Sequence, residues 1–515
     1  MQKDIEISLL PHESEREEVI AARLRTALGA AAAGLQGYVL LKRSIDARSR
    51  RVVFRLMLRA YLNEPVPGPE KPAVYAPVTG KKKVIIVGAG PAGLFAALQC
   101  IESGLQPVVL ERGKDVKQRR RDLAAINKEG FVNTESNYCF GEGGAGTYSD
   151  GKLYTRSNKR GDINKVLQIF VDHGATADIL VDARPHIGTN KLPQIITAMR
   201  ETILNAGGEI NFDAKVTDLI VEHGHIRAVV VNHDEEYAGE AVILATGHSA
   251  RDIYELLHAR NILVEAKPFA LGVRIEHPQE LIDAAQYHSP QRSEYLPPAY
   301  YSLVEQVGSR GVFSFCMCPG GIIAPCATGE EEIVVNGWSP SKRNNPFANS
   351  GTVVQVTLED VVGYDPLRML NFQSEIEKAA FRAGGGNLVA PAQRMVDFVQ
   401  GKLSTDLPVN SYLPGTRSAM LDQVLPDFVA KSLKAALPIF GKKMRGYYTN
   451  EAILVGVESR TSSPVRIPRD KETLQHPQVK GLYPCAEGAG YAGGIVSAAI
   501  DGINCAAAIA RTISG

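Results

Sequence analysis

Residues 84–93 read Val-Ile-Ile-Val-Gly88-Ala-Gly90-Pro91-Ala92-Gly93, and Val108-Val-Leu-Glu111 follows at the spacing of a second strand. A short β-branched apolar run is the pattern of a strand buried on both faces of a parallel sheet. The glycines after it make a tight turn, let backbone approach a pyrophosphate, and let the next helix pack on the strand. That helix, Ala92 to about Ser103, presents its N-terminal N–H groups and positive dipole end to a diphosphate. Glu111 closes the second strand, placed to accept hydrogen bonds from a ribose, which favours FAD or NAD over a 2′-phosphorylated nucleotide. Gly141–Gly146 and Gly488–Gly493 match the same glycine spacing. Only the first match has strand, turn, helix, strand and acid in order.

The chain has 515 residues, too many for one compact core, so two or three domains are expected. A net charge of +1 gives no whole-protein field toward nucleic acid or membrane. No run reads as long and apolar enough to span a bilayer; the best candidate, residues 19–41, is broken by Arg23 and Arg25. The acidic N-terminus lacks a signal-peptide pattern. Seven cysteines without framework spacing point to reduced thiols and a cytoplasmic location.

Along the chain, residues 1–62 read as a small β-α-β-β module. Its helix opens at a Ser14–Glu17 capping box, and Tyr38–Ile45 and Arg51–Tyr61 are paired strands. The Pro-rich residues 63–80 read as a linker that leaves the module separable. Residues 81–266 form the first part of an α/β dinucleotide-binding domain, with a helix at Lys191–Ala206, a β-meander over 209–240 and a buried strand ending at Ala245-Thr246-Gly247. Residues 267–452 read as an inserted α+β substrate domain. Residues 453–515 return to the first domain through a glycine turn at Glu487–Gly494 and a closing helix, Ile495 to Arg511.

The strings Gly141-Glu-Gly-Gly-Ala-Gly-Thr-Tyr-Ser-Asp-Gly-Lys-Leu, Arg184-Pro-His-Ile-Gly-Thr-Asn-Lys-Leu, Phe315-Cys-Met-Cys-Pro-Gly-Gly and Glu458-Ser-Arg-Thr-Ser-Ser-Pro-Val-Arg-Ile complete the picture. With them the chain resembles the bacterial FAD-dependent, NAD(FAD)-utilising dehydrogenases. These lie within the broad two-dinucleotide-binding-domain flavoproteins of the glutathione reductase, fumarate reductase and HI0933-like kinds. The resemblance spans nearly the whole chain. It implies a Rossmann-type FAD domain and an oxidoreductase that exchanges hydride or electrons between a donor, with NAD(P)H as a transient co-substrate, and a small molecule.

The resemblance implies that Gly88, Gly90, Pro91, Ala92 and Gly93 meet the diphosphate, and Glu111 and Arg112 the adenosine side. It places Gly143, Gly144, Gly146, Thr147, Ser149 and Lys152 in a loop passing the flavin ring, beside Ala245, Thr246 and Gly247. Glu487, Gly488, Gly490, Gly493, Gly494 and Ile495 follow at the closing helix, with Glu487 where such proteins usually carry an Asp. His186, Arg274, Arg460 and Arg466 are the candidate catalytic residues, a histidine to move a proton and arginines to clamp a carboxylate. The basic start of the helix after Glu111, including Arg119–Arg121, reads as a solvated face. Cys316 sits in an apolar run and is expected to be buried, protonated and inert, with no redox relay to Cys318. No metal site is expected. A rival reading comes from Lys42, Arg43, Arg48, Arg50, Arg51, Arg55 and Arg59, crowded into residues 42–59 and opposed by little but Asp46. Such a patch suits docking on RNA or another macromolecule.

Overall fold

The computed structural model describes residues 1–68, 71–154 and 161–514. The linker's residues 69–70 lie outside it.

Lys83–Val87 is the middle strand of a five-stranded, all-parallel sheet, ordered Leu482–Pro484, Ala241–Leu244, Lys83–Val87, Gln106–Leu110, Glu209–Asn211. The strands carry unbroken apolar runs because both faces are covered. Val84 and Ile86 face a core built with the helices Pro91–Glu102 and Ile495–Ser514. Ile85 and Val87 face a second core containing Val216, Leu219 and Val229 of the antiparallel meander Val216–Ala238. The closing helix also corrects the sequence reading. Ile495–Ile513 is long and apolar enough to cross a bilayer, but most of it is buried inside the protein. It packs against Pro91–Glu102 as a core helix.

The second domain is a seven-stranded sheet ordered Val304–Val307, Arg310–Cys318, Phe347–Val356, Phe269–Pro278, Ile453–Glu458, Ala390–Arg394, Thr416–Ser418. Ile453–Glu458 lies between Phe269–Pro278 and Ala390–Arg394, so this domain does not end at residue 452. A fully buried six-residue strand carries no sign of which sheet it will join.

The N-terminal module has the expected elements, with strands ordered Gln2–Leu9, Val53–Leu62, Leu35–Asp46. It packs against the second domain. Its buried Leu9, Leu24, Leu56 and Leu58 belong to the same continuous core as the second domain. The Arg43 N–H donates to Val181 O at 2.7 Å, and the Ala183 N–H donates to Arg43 O at 2.9 Å. The helix starts at Glu17 rather than Ser14, whose hydroxyl donates to Pro11 O instead of capping.

The basic patch is largely neutralised. Arg43 pairs with Asp178 and Asp182, Arg48 with Asp46, Arg55 with Asp46 and Glu6, and Arg59 with Asp4. Apart from Asp46, these acids lie outside residues 42–59, so counting charge within that stretch misses them. Arg119 is likewise no solvated face. It is fully buried and donates to the carbonyls of Asn137, Tyr138 and Glu142.

His277, in the strand Phe269–Pro278, shows how tightly the core of the second domain is closed. Burial holds its imidazole down to about 4, against the weaker help of a hydrogen bond to Tyr447 O. Above pH 6.5 the ring is neutral folded and unfolded. As pH falls from 6.5 toward 4, the unfolded chain takes up a proton that the folded chain refuses, so stability is lost, by about 3 kcal/mol in full. His277→Gln should therefore flatten the acid limb of the unfolding midpoint between pH 7 and 4 relative to wild type. Equal slopes would refute the assignment.

Candidate functional site

At the carboxyl ends of the parallel strands, between the two domains, lies a cleft that is continuous with solvent. This is where open α/β sheets place their ligands. One wall is the turn Val87–Ala92, the strand end Leu110–Arg112 and Ala245–Ala250; the other is Phe315, Cys316 and Asn336–Trp338 of the second domain.

The three turn glycines act in three ways. Gly88 has φ +104°, and a Cβ there would stand 2.5 Å from Ala245 O. A Cβ on Gly93 would stand 1.9 Å from Gly88 O, so this glycine lets helix and turn pack and does not line the cleft. Gly90 needs no unusual backbone, at φ −74°, and a Cβ there would find nothing nearer than Gly144 Cα at 3.8 Å. It lines the cleft, so its missing side chain is space left for a ligand.

Glu111 is buried, and its carboxylate accepts from Ala89 N–H at 2.8 Å and from Gly113 and Gly141 N–H at 2.9 Å each. It binds the dinucleotide turn to the glycine loop first, with about one of its four acceptor positions left for a ribose hydroxyl. Arg112, over the Phe140 ring, is held by Glu135 and Asp252.

Of the other residues assigned to a cofactor, Pro91, Ala92, Gly144, Gly146, Ser149, Lys152, Ala245, Thr246, Gly247, Glu487, Gly494 and Ile495 line the cleft. Gly143, Thr147, Gly488, Gly490 and Gly493 do not. Gly143, at φ +76°, and the Thr147 hydroxyl, which donates to Glu142 O, shape the loop from behind. Gly488 packs on Gly247, and Gly490 on Lys267 and Val465.

The four candidate catalytic residues fare differently. His186 does not line the cleft; burial, with Arg343 adding to it, holds its imidazole down to about 4. It is neutral at physiological pH and unsuited to carrying a proton there. Arg274 is fully buried, with Glu458 at 3.0 Å, Asn349 at 2.8 Å and Cys316 O at 2.7 Å. Arg466 stands over Tyr491, away from the cleft lining. Arg460 lines the cleft, but Glu332 at 2.6 Å and Glu377 at 3.1 Å occupy its guanidinium.

The cleft also recruits residues that the sequence reading passed over: Lys215, Tyr138, Thr461, Trp338 and His248. His248 immediately follows the Ala-Thr-Gly turn, so a local signal for it existed. Its Nδ1 lies 3.3 Å from Glu487 Oε2, and its Nε2 donates to Arg460 O at 3.1 Å. Burial works against ionisation of Glu487, but His248 and the Gly494 N–H hold its carboxyl below the usual range.

The thiols overturn their expectation. Cys316 is half-buried and lines the cleft, and Lys152 Nζ stands 3.5 Å from both its Sγ and that of Cys318. A hydrogen bond from Cys318 lowers the Cys316 pKa well below a free thiol's, and Lys152 and Arg274 add to it against the effect of burial. The apolar neighbours in sequence hid two cations brought in from residues 42 and 164 positions away. Elsewhere, Cys485, Asp501 and Cys505 bring three possible ligand atoms within 4.8 Å, but Arg469 already pairs with the Asp501 carboxylate.

Residues 83–119 match an FAD binding domain, residues 268–461 an FAD-dependent protein's C-terminal domain, and residues 1–61 a domain of unknown function. An uncharacterized protein of Clostridium beijerinckii is 42% identical over 487 residues, 91% of each chain. The chain belongs to the same family as this protein. Among solved structures, a geranylgeranyl bacteriochlorophyll reductase-like protein from Thermoplasma acidophilum overlaps 84% of this chain and 79% of its own (14% identity, TM-score 0.34). The flavin-dependent brominase Bmp2 overlaps 84% and 80% (12% identity, TM-score 0.36). These two overlaps are too loose to bear on this chain's chemistry.

FAD is the cofactor of this flavoprotein. The cleft suits it. Gly90 leaves room at the N-terminus of Pro91–Glu102, and Gly247 and Gly494 are also glycines whose Cβ would meet nothing within 4 Å. The buried Thr246 Oγ1 has no hydrogen-bond partner among the described residues and stands at the cleft wall.

Proposed function

We propose that this chain is an FAD-dependent oxidoreductase of the NAD(FAD)-utilising dehydrogenase kind, passing an electron pair between a reductant and a small molecule. The observation that carries this reading is the two-sided cleft. The dinucleotide turn and strand ends form one wall, and Phe315, Cys316, Gly337 and Trp338 from another domain form the other. Such an enclosure keeps water from a reacting centre while leaving a way in.

In this reading Gly88, Gly90 and the N-terminal N–H groups of Pro91–Glu102 hold the diphosphate. The remaining acceptor position of Glu111 takes a ribose hydroxyl, and Glu487, held by His248, binds toward the other end of the cofactor. Bound FAD supplies reversible two-electron redox chemistry. The N-terminus of Ile495–Ser514 borders the cleft at Gly494 and Ile495, and its dipole favours added negative charge there. His186 and Arg274 take no substrate role.

Since the sequence has one complete strand–turn–helix–strand–acid motif, NAD(P)H is read as a transient co-substrate entering over the flavin. Anaerobic mixing of the holoprotein with NADH or NADPH should bleach the visible flavin band with at least one of them. Bleaching by dithionite but by neither nucleotide would refute the nicotinamide donor.

A further inference from the structure

Cys316 and Cys318 lie on the strand Arg310–Cys318, where its register against Phe347–Val356 slips. Phe315 faces Gly351 and Cys318 faces Asn349, so one residue is squeezed out between them. Cys316 takes φ +47°, a left-handed conformation that a non-glycine residue rarely adopts. The bulge thus spends stability to turn two thiols toward one ammonium group at the cleft wall.

The charged groups around the pair come from four parts of the chain. Lys152, from the glycine loop, lies 3.5 Å from each sulfur and is itself 3.7 Å from the buried Asp150. Asp150 also pairs with Arg343. Arg274, from Phe269–Pro278, is 3.5 Å from Cys318 Sγ and donates to Cys316 O. Glu458, from Ile453–Glu458, faces Arg274 at 3.0 Å. Burial works against the Lys152 ammonium, but Asp150 and the two sulfurs hold it charged. Burial raises Glu458 to about 7, leaving the cations beside the thiols better placed than this carboxylate. Cys318 is buried and its pKa raised, so the proton of the pair resides on Cys318 and the negative charge on Cys316, the sulfur facing the cleft.

We propose that Cys316 and Cys318 are a redox-active dithiol that exchanges an electron pair with the flavin, Cys316 as the thiolate and Cys318 as its partner. The inference rests on reading the cleft as the flavin's. In the reductive direction the Cys316–Cys318 S–S bond breaks, and the electron pair comes from two-electron-reduced flavin, which returns to its oxidised form. Cys316 leaves as thiolate beside Lys152, and Cys318 takes the proton given up by the flavin. A disulfide between residues two apart is constrained, and constrained disulfides are the easily reduced, catalytic ones. Electrons entering the protein should therefore reach the pair before they accumulate on the flavin.

The test is an anaerobic dithionite titration of holoprotein first oxidised with diamide and freed of it. Wild type should take up two electrons per FAD with the visible band unchanged, then two more with bleaching. Cys316→Ser and Cys318→Ser should bleach from the first addition and take up two electrons in all. Thiols are counted in parallel by alkylation of the denatured protein. All seven should react before diamide treatment and two fewer after it, the missing pair mapping to the peptide that carries Cys316 and Cys318. In the holoprotein, Lys152→Met should move the pH at which Cys316 alkylates upward. Bleaching of wild type from the first addition, with all seven thiols still reactive after diamide, overturns the proposal. Absence of FAD from the purified protein would instead sink the flavin reading, with the thiol count still reporting on the pair.

Discussion

Gly90→Val should purify as folded, colourless protein, whereas Gly93→Val should not yield folded protein at all. The two positions lie three residues apart in one motif, yet the structure separates their roles. At Gly93 a Cβ would stand 1.9 Å from the Gly88 carbonyl oxygen, a backbone atom that cannot yield without moving the turn. Overpacking of that kind costs about 1–3 kcal/mol or more. At Gly90 the backbone is ordinary, with φ −74°, and the nearest atom to a Cβ is 3.8 Å away. A valine there meets empty cleft, and its methyl groups occupy the volume assigned to the diphosphate. Flavin affinity should fall at least about tenfold, ~1.4 kcal/mol, while the unfolding temperature of flavin-stripped protein should match that of stripped wild type. Flavin-to-protein absorbance ratio and thermal unfolding read the two effects apart. A yellow Gly90→Val with full flavin content would show that the diphosphate lies elsewhere.

That contrast marks where sequence reading works. The parallel sheet, its first turn, the meander, the closing helix and most of the cleft wall follow from local patterns: β-branched runs, glycine spacing, a terminal acid. What failed depends on groups distant in sequence. Arg274 and Arg460 sit in suggestive strings, but whether a guanidinium meets a substrate or a carboxylate is decided by Glu458, Glu332 and Glu377 from other elements. Cys316 looked inert because Val312–Phe315 is apolar, and the ammonium of Lys152 arrives from a different domain. Arg43, Arg55 and Arg59 looked like a phosphate footprint until their acids were found on other strands and turns. Hydrophobic periodicity records which face is covered, and it carries no record of which charge answers which.

Arg460 turns that lesson into a measurement. Together with Arg251 it meets Glu332 and Glu377 in a cluster of two arginines and two glutamates that joins the helix Arg251–Ala259 of the FAD domain to the second domain. Thr328 and Ser249 accept further hydrogen bonds from the Arg460 guanidinium. Burial opposes ionisation of Glu332, but Arg460 and Arg251 together drive its carboxyl far below the usual range, so the acid depends on both partners. Removing one member of such a buried set leaves an uncompensated charge, at a cost of about 3–5 kcal/mol. Arg460→Met should therefore lower stability by that amount, loosen the junction that closes the cleft, and weaken FAD retention as a consequence. Arg460→Met combined with Glu332→Gln should recover much of the loss, because Arg251 and Glu377 then remain as a matched pair and no charge is stranded. Neutralising both glutamates with Arg460→Met would instead leave Arg251 unanswered and should recover less. The unfolding midpoint in urea measures each step. If Arg460→Met is as stable as wild type and instead raises the KM of a carboxylate substrate, the guanidinium faces substrate and the structural assignment fails.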